Sequence, residues 1–447
     1  MGAKRIVIIG NGISGITTAR NVRKRNAEAQ IVVVSSETKY FFSRTALMYA
    51  YMGHMKKEHM KPYEDGFWAK NRIELCFAHV NSIDFEEQKL NFSNGKQTNY
   101  DKLVLALGST PNKFGWPGQD LKGVQGLYSF NDLESMEENT VGIKKAVIVG
   151  GGLIGVEMAE MLRSRKIEVD FLVREKRFWG NVLPIEEGKL IQRHINEHHV
   201  NLLLETNLEE IISDENGRVR AVKTDTHGEI ECQFVGLTAG VSPNIKFLKD
   251  SELETDRGIL VNEFLETNQP NVYALGDCAQ FKTAPKGRRN IEQVWYTGRM
   301  MGEVLAKTLT GSKTEYKPGN WFNSAKFFDI EYQTYGTVTA NLEEGHSQFY
   351  WEHNNGKIGI KFVFDSDSRR FIGINTFGVR MRHELFDKWL TQGQSIDFIM
   401  EHLEDANFDP ELYKSYGTEI LKSLHRFTIG FKSGLWLGHS RTFTIFF

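Results

Sequence analysis

Two stretches of this chain carry three glycines at fixed spacing after a run of β-branched residues: IVIIGNGISG at 6–15 and VIVGGGLIGVE at 147–157. A buried strand that feeds a G-x-G-x-x-G turn and then a helix presents unpaired N–H groups at the positive end of a helix dipole, a setting that receives a diphosphate. In each set the first glycine (Gly10, Gly150) makes the turn and the second (Gly12, Gly152) lets a pyrophosphate approach the backbone. The third (Gly15, Gly155) lets helix pack on strand, and Ser14 and Ile154 sit inside the two turns. One such match alone is weak evidence. Here both copies lead into helical apolar spacing (Ile13, Ile16, Ala19 and Val22; Ile154, Met158, Met161 and Leu162), so the pattern predicts two nucleotide sites. Glu37 ends a second apolar run, IVVVSSE at 31–37, about 20 residues past the first turn, where an acid accepts hydrogen bonds from ribose hydroxyls.

Other chemistries find little support. Cys76, Cys232 and Cys278 lie far apart, which argues against a disulfide framework, a CxxC pair and a cysteine zinc site. There is no HExxH and no serine elbow, and the 13 histidines read as scattered surface or core residues, so no metal site is expected.

The elements that must position these turns follow from length and pattern. A chain of 447 residues with 40% hydrophobic content suggests about three domains with sizeable cores. A net charge of −2 and a pI near 6.7, with no basic stripe interleaved with aromatics, give no reason to expect nucleic acid. No stretch approaches the ~20 apolar residues of a membrane span, and MGAKRIVIIG reads as a first strand rather than a signal peptide, so a cytoplasmic location is the expectation. Segment 40–71 reads as short helices lining a cleft, and strands follow at 73–80 and in YDKLVLALGSTPN. The strand–turn–helix–strand grammar repeats from 143 to 173, and a strand pair is expected at Val200–Leu204 and Val219–Thr224. FVGLTAGVSPN at 234–244 echoes LALGSTPN at 105–112, as if the chain leaves a parent domain and re-enters it. From Trp321 alternating strands predict an antiparallel sheet.

The ordered set of first glycine turn, LALGSTPN, second glycine turn with Glu157, and VYALGDCA resembles the two-dinucleotide-binding flavoprotein superfamily of pyridine-nucleotide reductases. GRMMGEVLAKTLTG and WFNSAKFFDIEYQTYG resemble its ferredoxin-reductase and apoptosis-inducing-factor branch, and the resemblance runs to about residue 390. It implies an α/β fold with two Rossmann-like dinucleotide-binding domains of the three-layer ββα type, the second inserted in the first, plus a C-terminal α+β interface domain. The corresponding boundaries are 1–115 and 240–318 for FAD, 116–239 for NAD(P)H, 319–400 for the interface domain and 401–447 for a helical, aromatic tail.

Residue by residue, the resemblance assigns Gly10, Gly12, Ser14 and Gly15 to the FAD pyrophosphate, Glu37 to its adenosine ribose and Asp277, after Gly276, to the ribityl chain. Val80 matches the residue whose backbone meets adenine, Arg44 an arginine near the flavin, and Glu292 and Trp295 the lining of the isoalloxazine. Gly108 and Gly240, in the two glycine-proline crossings, are placed among the cofactor-binding residues as well. Gly150, Gly152, Ile154 and Gly155 hold NAD(P)H, and Glu157 stands beside the nicotinamide. Three departures matter. The region YFFSRTALMYAYMG lacks the reactive cysteine of thiol-dependent members; Tyr49 stands where the branch has a lysine that pairs with Glu157; and Asn323 replaces an aromatic that usually covers the flavin.

For the nicotinamide nucleotide, VDFLVREKR puts Val173 at the usual acid position with Arg174 beside it, which leans toward the 2′-phosphate of NADPH, whereas Gly155 and Glu175 lean toward NADH. The implied activity is an FAD-dependent oxidoreductase that takes a hydride from NAD(P)H, with Glu157 and Tyr49 as the groups nearest the chemistry, and passes electrons to a ferredoxin- or rubredoxin-like protein. A quinone reductase, an NAD(P)H oxidase and a non-catalytic redox-gated interaction module stay open beside it. A homodimer and contact of the tail FKSGLWLGHSRTFTIFF with a membrane surface also stay open.

Overall fold

A computed structural model describes residues 4–408, 414–432 and 442–446, with side chains up to Leu424. The chain divides into two compact units: 1–115, 119–143 and 236–318 form one, and 116–118, 144–235 and 319–447 the other.

The first unit is built on a five-stranded parallel sheet in the order 272–274, 102–105, 5–9, 30–35, 73–77. Strands Arg5–Ile9 and Gln30–Ser35 are buried along their whole apolar runs, as strands enclosed on both faces must be. Helix Ile13–Arg25 packs on helix Trp295–Leu309 at close range, because Gly298 and Gly302 face it: a Cβ on Gly302 would lie 2.8 Å from the Ser14 carbonyl oxygen. Val80–Asp84, Lys89–Phe92 and Gln97–Asn99 form a small antiparallel sheet. The two glycine-proline crossings meet as an antiparallel pair, with Ser109, Thr110 and Pro111 opposite Pro243, Ser242 and Val241. Segment 40–71 forms only short turns of helix, at Arg44–Ala46, Leu47–Tyr51, Lys57–Met60 and Gly66–Lys70.

The second unit repeats the plan with parallel strands in the order 200–204, 168–173, 145–149. The expected pairing of Val200–Leu204 with Val219–Thr224 does not form. Both are strands, but Leu208–Ser213 intervenes and takes Val219–Thr224 into a separate antiparallel sheet, while Val200–Leu204 completes the parallel one. Phe322–Phe327, Ile330–Gly336, Phe371–Phe377, Gly359–Asp365 and His346–Glu352 form the expected antiparallel sheet in that order. Thr442–Phe446 joins its edge, parallel to His346–Glu352, while 433–441 and 447 of the aromatic tail lie outside the described residues.

Helix Ile185–Glu197 brings acids against this sheet. Lys361 Nζ, fully buried, donates to Glu186 Oε2 at 2.7 Å, and Asn375 Nδ2 donates to the buried Glu187 Oε2 at 2.9 Å. Burial lifts the Glu187 carboxyl from 4.5 to about 7, against the pull of Lys361 and the Asn375 hydrogen bond. Between those values the folded chain holds a proton that the unfolded chain has released, so stability falls as pH rises through that window. Glu187→Gln is expected to flatten the fall, measured as urea midpoint against pH; Glu157, shifted the same way, leaves a residual slope.

Candidate functional site

At the first glycine turn the three positions divide their work by available space. Gly10 has φ +112°, and a Cβ there would lie 2.0 Å from the Ala106 carbonyl oxygen; on Gly15 it would lie 2.0 Å from the Gly10 carbonyl oxygen. Gly12 has nothing within 4 Å of such a Cβ. It is also the N-cap of helix Ile13–Arg25, and no side chain caps that end. Space and donors are therefore left together at the helix start, as a diphosphate requires.

The second turn repeats the geometry. Gly150 has φ +118°, a Cβ on Gly155 would lie 2.4 Å from the Gly150 carbonyl oxygen and 2.7 Å from the Phe171 ring, and Gly152 is open. Helix Leu153–Ser164, which contains Ile154, starts at Gly152 without a side-chain cap.

Asp277 stands at the centre of a polar cluster in the first unit. Gly276 (φ +72°) turns the chain against Ser14, whose Oγ would be 2.3 Å from a Cβ at that glycine. Ser109 Oγ and Tyr128 Oη donate to Asp277 Oδ2 at 3.1 and 3.2 Å, and Gln293 Nε2 donates to Ser109 Oγ at 2.8 Å. Burial raises the Asp277 pKa, while the Ser109 and Tyr128 hydrogen bonds and Arg44 oppose the shift. Gly108 (φ +68°) admits Tyr128, whose Oη would be 2.8 Å from a Cβ there, and Gly240 (φ +95°) belongs to the matching crossing.

Glu37 and Arg44, assigned to the ribose and the flavin separately, are joined. The Arg44 guanidinium forks onto Glu37 with bonds of 3.0 and 2.8 Å, lies over the Tyr128 ring at 4.4 Å, and the Phe130 N–H also donates to Glu37 at 2.8 Å. Both carboxylate oxygens of Glu37 thus already hold a charge-assisted bond. Ser109 lies in LALGSTPN but was given no role there, and Tyr128 had no motif to announce it: it lies in an irregular segment, and its role depends on contacts across 84 and 149 residues.

Glu292 is likewise engaged. Its carboxylate forms a nearly buried ion pair with Arg288 at 2.6 Å and accepts from Thr297 Oγ1 at 3.0 Å, so it anchors the start of helix Trp295–Leu309. Trp295 is the first residue of that helix, with Arg299 5.8 Å from its ring. Val80 is buried and opens the strand Val80–Asp84, opposite Phe92. Tyr49 lies in the short helix Leu47–Tyr51 of the first unit; Asn323 lies in the second, on Phe322–Phe327 opposite Thr334.

Glu157 is half-buried on the first turns of its helix. Its carboxyl is raised to about 7, by burial first and by Glu160 second, with Lys326 pulling the other way; Lys326 Nζ itself pairs with Glu160 Oε1 at 2.7 Å. Val173 is buried, whereas Arg174 is exposed and pairs with Glu175 at 3.1 Å, holding the two opposed selectors of the 2′-position on one another.

The thiols show no activation: burial raises the pKa of Cys76 and pushes Cys232 and Cys278 up to about 12. The histidine reading needs correction. His194 and His198, one helical turn apart, meet Asp329 from a turn 131 residues along the chain, a convergence that local spacing does not reveal.

Residues 4–302 match the family model described as pyridine nucleotide-disulphide oxidoreductase. The chain is 31% identical to the rubredoxin-NAD(+) reductase of Acinetobacter baylyi, over 69% of this chain and 79% of that protein. It is 30% identical to the rhodocoxin reductase of Rhodococcus erythropolis, over 91% of this chain and 93% of that protein. A ferredoxin reductase from Rhodopseudomonas palustris shares the fold, with a TM-score of 0.77 at 22% identity, covering 94% of this chain and 99% of that one.

Proposed function

The chain belongs to the pyridine nucleotide-disulphide oxidoreductase family, whose members bind FAD and NAD(P)H, and from that premise we propose that it passes electrons from NAD(P)H to an acidic ferredoxin- or rubredoxin-like protein. The observation that carries the two-cofactor reading is the pair of helix starts where only the middle glycine faces open space. When bound, FAD supplies the electron chemistry, accepting a hydride and releasing electrons singly or in pairs.

The residues then take these parts. Gly10, Gly12, Ser14 and Gly15 form the FAD diphosphate cradle, and the Glu37–Arg44 fork closes the wall beside it with Tyr128. Asp277, held by Ser109 and Tyr128, offers its remaining acceptor positions to ribityl hydroxyls. Gly150, Gly152 and Gly155 cradle the nicotinamide nucleotide. Glu157 would stand beside the nicotinamide, where its carboxyl, ionised above about pH 7, would favour the positive charge that hydride loss leaves. Arg174 is the group that discriminates a 2′-phosphate once it releases Glu175.

A cleft of about 990 Å³ in the first unit supports the choice of acceptor. Lys113, Lys246, Lys249, Arg257 and Arg289 line it against a single acid, Asp256. Gln293 lines it too, and reaches Ser109 of the Asp277 cluster, so the positive wall adjoins the proposed flavin site. Such a wall steers an acidic partner and acts mainly on encounter rate. The variant Lys246→Glu/Arg289→Glu is expected to raise KM for an acidic ferredoxin or rubredoxin by about tenfold or more at low salt, a loss of about 1.4 kcal/mol. Flavin reduction by NAD(P)H should stay at the wild-type rate. An unchanged KM and an unchanged salt dependence would remove the acceptor assignment.

A further inference from the structure

We propose that His194, His198 and Asp329 form a binding site for a borderline divalent cation, with zinc the best match, which ties the end of helix Ile185–Glu197 to the turn before strand Ile330–Gly336. The three side chains each offer one ligand atom, and those atoms all lie within 4.8 Å of one another. His194 Nε2 is 2.5 Å and His198 Nε2 3.0 Å from the same oxygen, Asp329 Oδ1. Two histidines at i and i+4 on one helical face, joined by a carboxylate, are a donor set suited to zinc, cobalt, nickel or copper rather than to magnesium or calcium.

The second observation is the state of His194. Its side chain is 1% exposed, and Nδ1 lies 3.4 Å from Glu197 Oε2. A carboxylate only accepts, so Nδ1 donates to Glu197 and Nε2 is the ring atom left to face Asp329. Nε2 has no hydrogen-bond partner despite its closeness to Oδ1, because the approach is not aligned for an N–H bond. An imidazole nitrogen and a carboxylate oxygen this close need a positive charge between them, and a metal ion can supply it where no aligned N–H does. A carboxylate on the far ring nitrogen is also the arrangement that fixes tautomer and orientation in metal-ligating histidines.

The surroundings hold the ligands in place. Phe328, in the left-handed region at φ +54°, sets the turn that presents Asp329, and its ring stacks on His198 at 4.2 Å. Tetrahedral zinc with bonds of about 2.0–2.1 Å separates its ligand atoms by roughly 3.4 Å, so Asp329 must withdraw by about 1 Å from His194. Its side chain is 57% exposed and has room to do so. Lys357 Nζ lies 3.3 Å from Asp329 Oδ2 and opposes a second positive charge, so it weakens the site without occupying Oδ1. Water completes the coordination.

The test uses the full-length, flavin-loaded, tag-free chain after dialysis against a chelator. Zinc affinity is measured by competition with a chromophoric chelator, and cobalt absorption reports geometry. One zinc per chain is expected, with an intense tetrahedral-type cobalt spectrum. His198→Ala and Asp329→Asn, both at accessible positions, should each weaken binding by about tenfold or more, as should Glu197→Gln. Lys357→Gln should tighten it, and zinc should raise the melting temperature of the wild type but not of Asp329→Asn. No binding by the wild type, or binding that His198→Ala and Asp329→Asn both leave unchanged, would overturn the site and leave a plain imidazole–carboxylate contact.

Discussion

Gly152→Val is expected to give a folded, yellow protein whose flavin is no longer reduced by NADH or NADPH at useful rates. The backbone of Gly152 is extended, with φ −114° and ψ −173°, a conformation any residue adopts. Nothing lies within 4 Å of a Cβ placed there, so the fold has no objection to a side chain. Its added atoms fill the space that the diphosphate needs and shield the N–H groups of helix Leu153–Ser164. Loss of two charge-assisted hydrogen bonds at about 1.5 kcal/mol each corresponds to a rise of roughly a hundredfold in the concentration of NAD(P)H required. Dithionite should still reduce the flavin fully, because the first unit is untouched. Gly155→Val provides the contrast. Its side chain would press into the Gly150 carbonyl and the Phe171 ring, so that variant should lose stability as well. Equal loss of melting temperature in the two variants would show that Gly152 is a packing position and not a cradle.

Lys361→Met should be the most destabilising single change in the second unit, at about 3–5 kcal/mol by chemical denaturation. The ammonium is wholly buried and faces Glu186 Oε2 at 2.7 Å, with Gln348 Oε1 at 3.4 Å and the Tyr350 ring at 5.3 Å. Its charge also opposes the effect of burial on Glu187. Removing it leaves two carboxyls at the helix–sheet contact without the cation that offsets their desolvation, whereas the methionine nearly preserves volume. Adding Glu186→Leu to Lys361→Met should recover most of the loss, because an apolar pair replaces an ion pair at little net cost. A single variant within about 1 kcal/mol of wild type would mean that the network contributes little to stability.

The sequence was most informative where physics is local. Strand burial, the glycine turns and the alternation after Trp321 each follow from neighbours within a few residues, and the two parallel sheets and the antiparallel one form as those patterns predict. Spacing also indicated which glycine packs and which is open, since the reason is steric and repeats at both turns. What sequence did not reveal is which partner a side chain takes, whether near or far along the chain. Glu37, assigned to the ribose hydroxyls, is also held by Arg44 and the Phe130 N–H, which its place at a strand end does not announce. Glu292, assigned to the isoalloxazine lining, also pairs with Arg288 four residues earlier, a contact that no motif announces. Tyr128 carries no motif and gains its place only when the chain returns at Asp277. The histidine cluster stayed hidden because Asp329 arrives from another element, and the strand Val219–Thr224 found a nearer neighbour in Leu208–Ser213 than in Val200–Leu204.

Every role assigned above requires that two nucleotides bind at two helix starts of one chain and exchange a hydride. Anaerobic stopped-flow mixing of the purified yellow protein with NADH and, separately, NADPH tests it most directly. Saturable bleaching of the flavin absorbance is expected with at least one nucleotide, with NADPH the faster. A chain that is colourless and cannot be reconstituted with FAD, or a bound flavin that stays oxidised with both nucleotides, would contradict it.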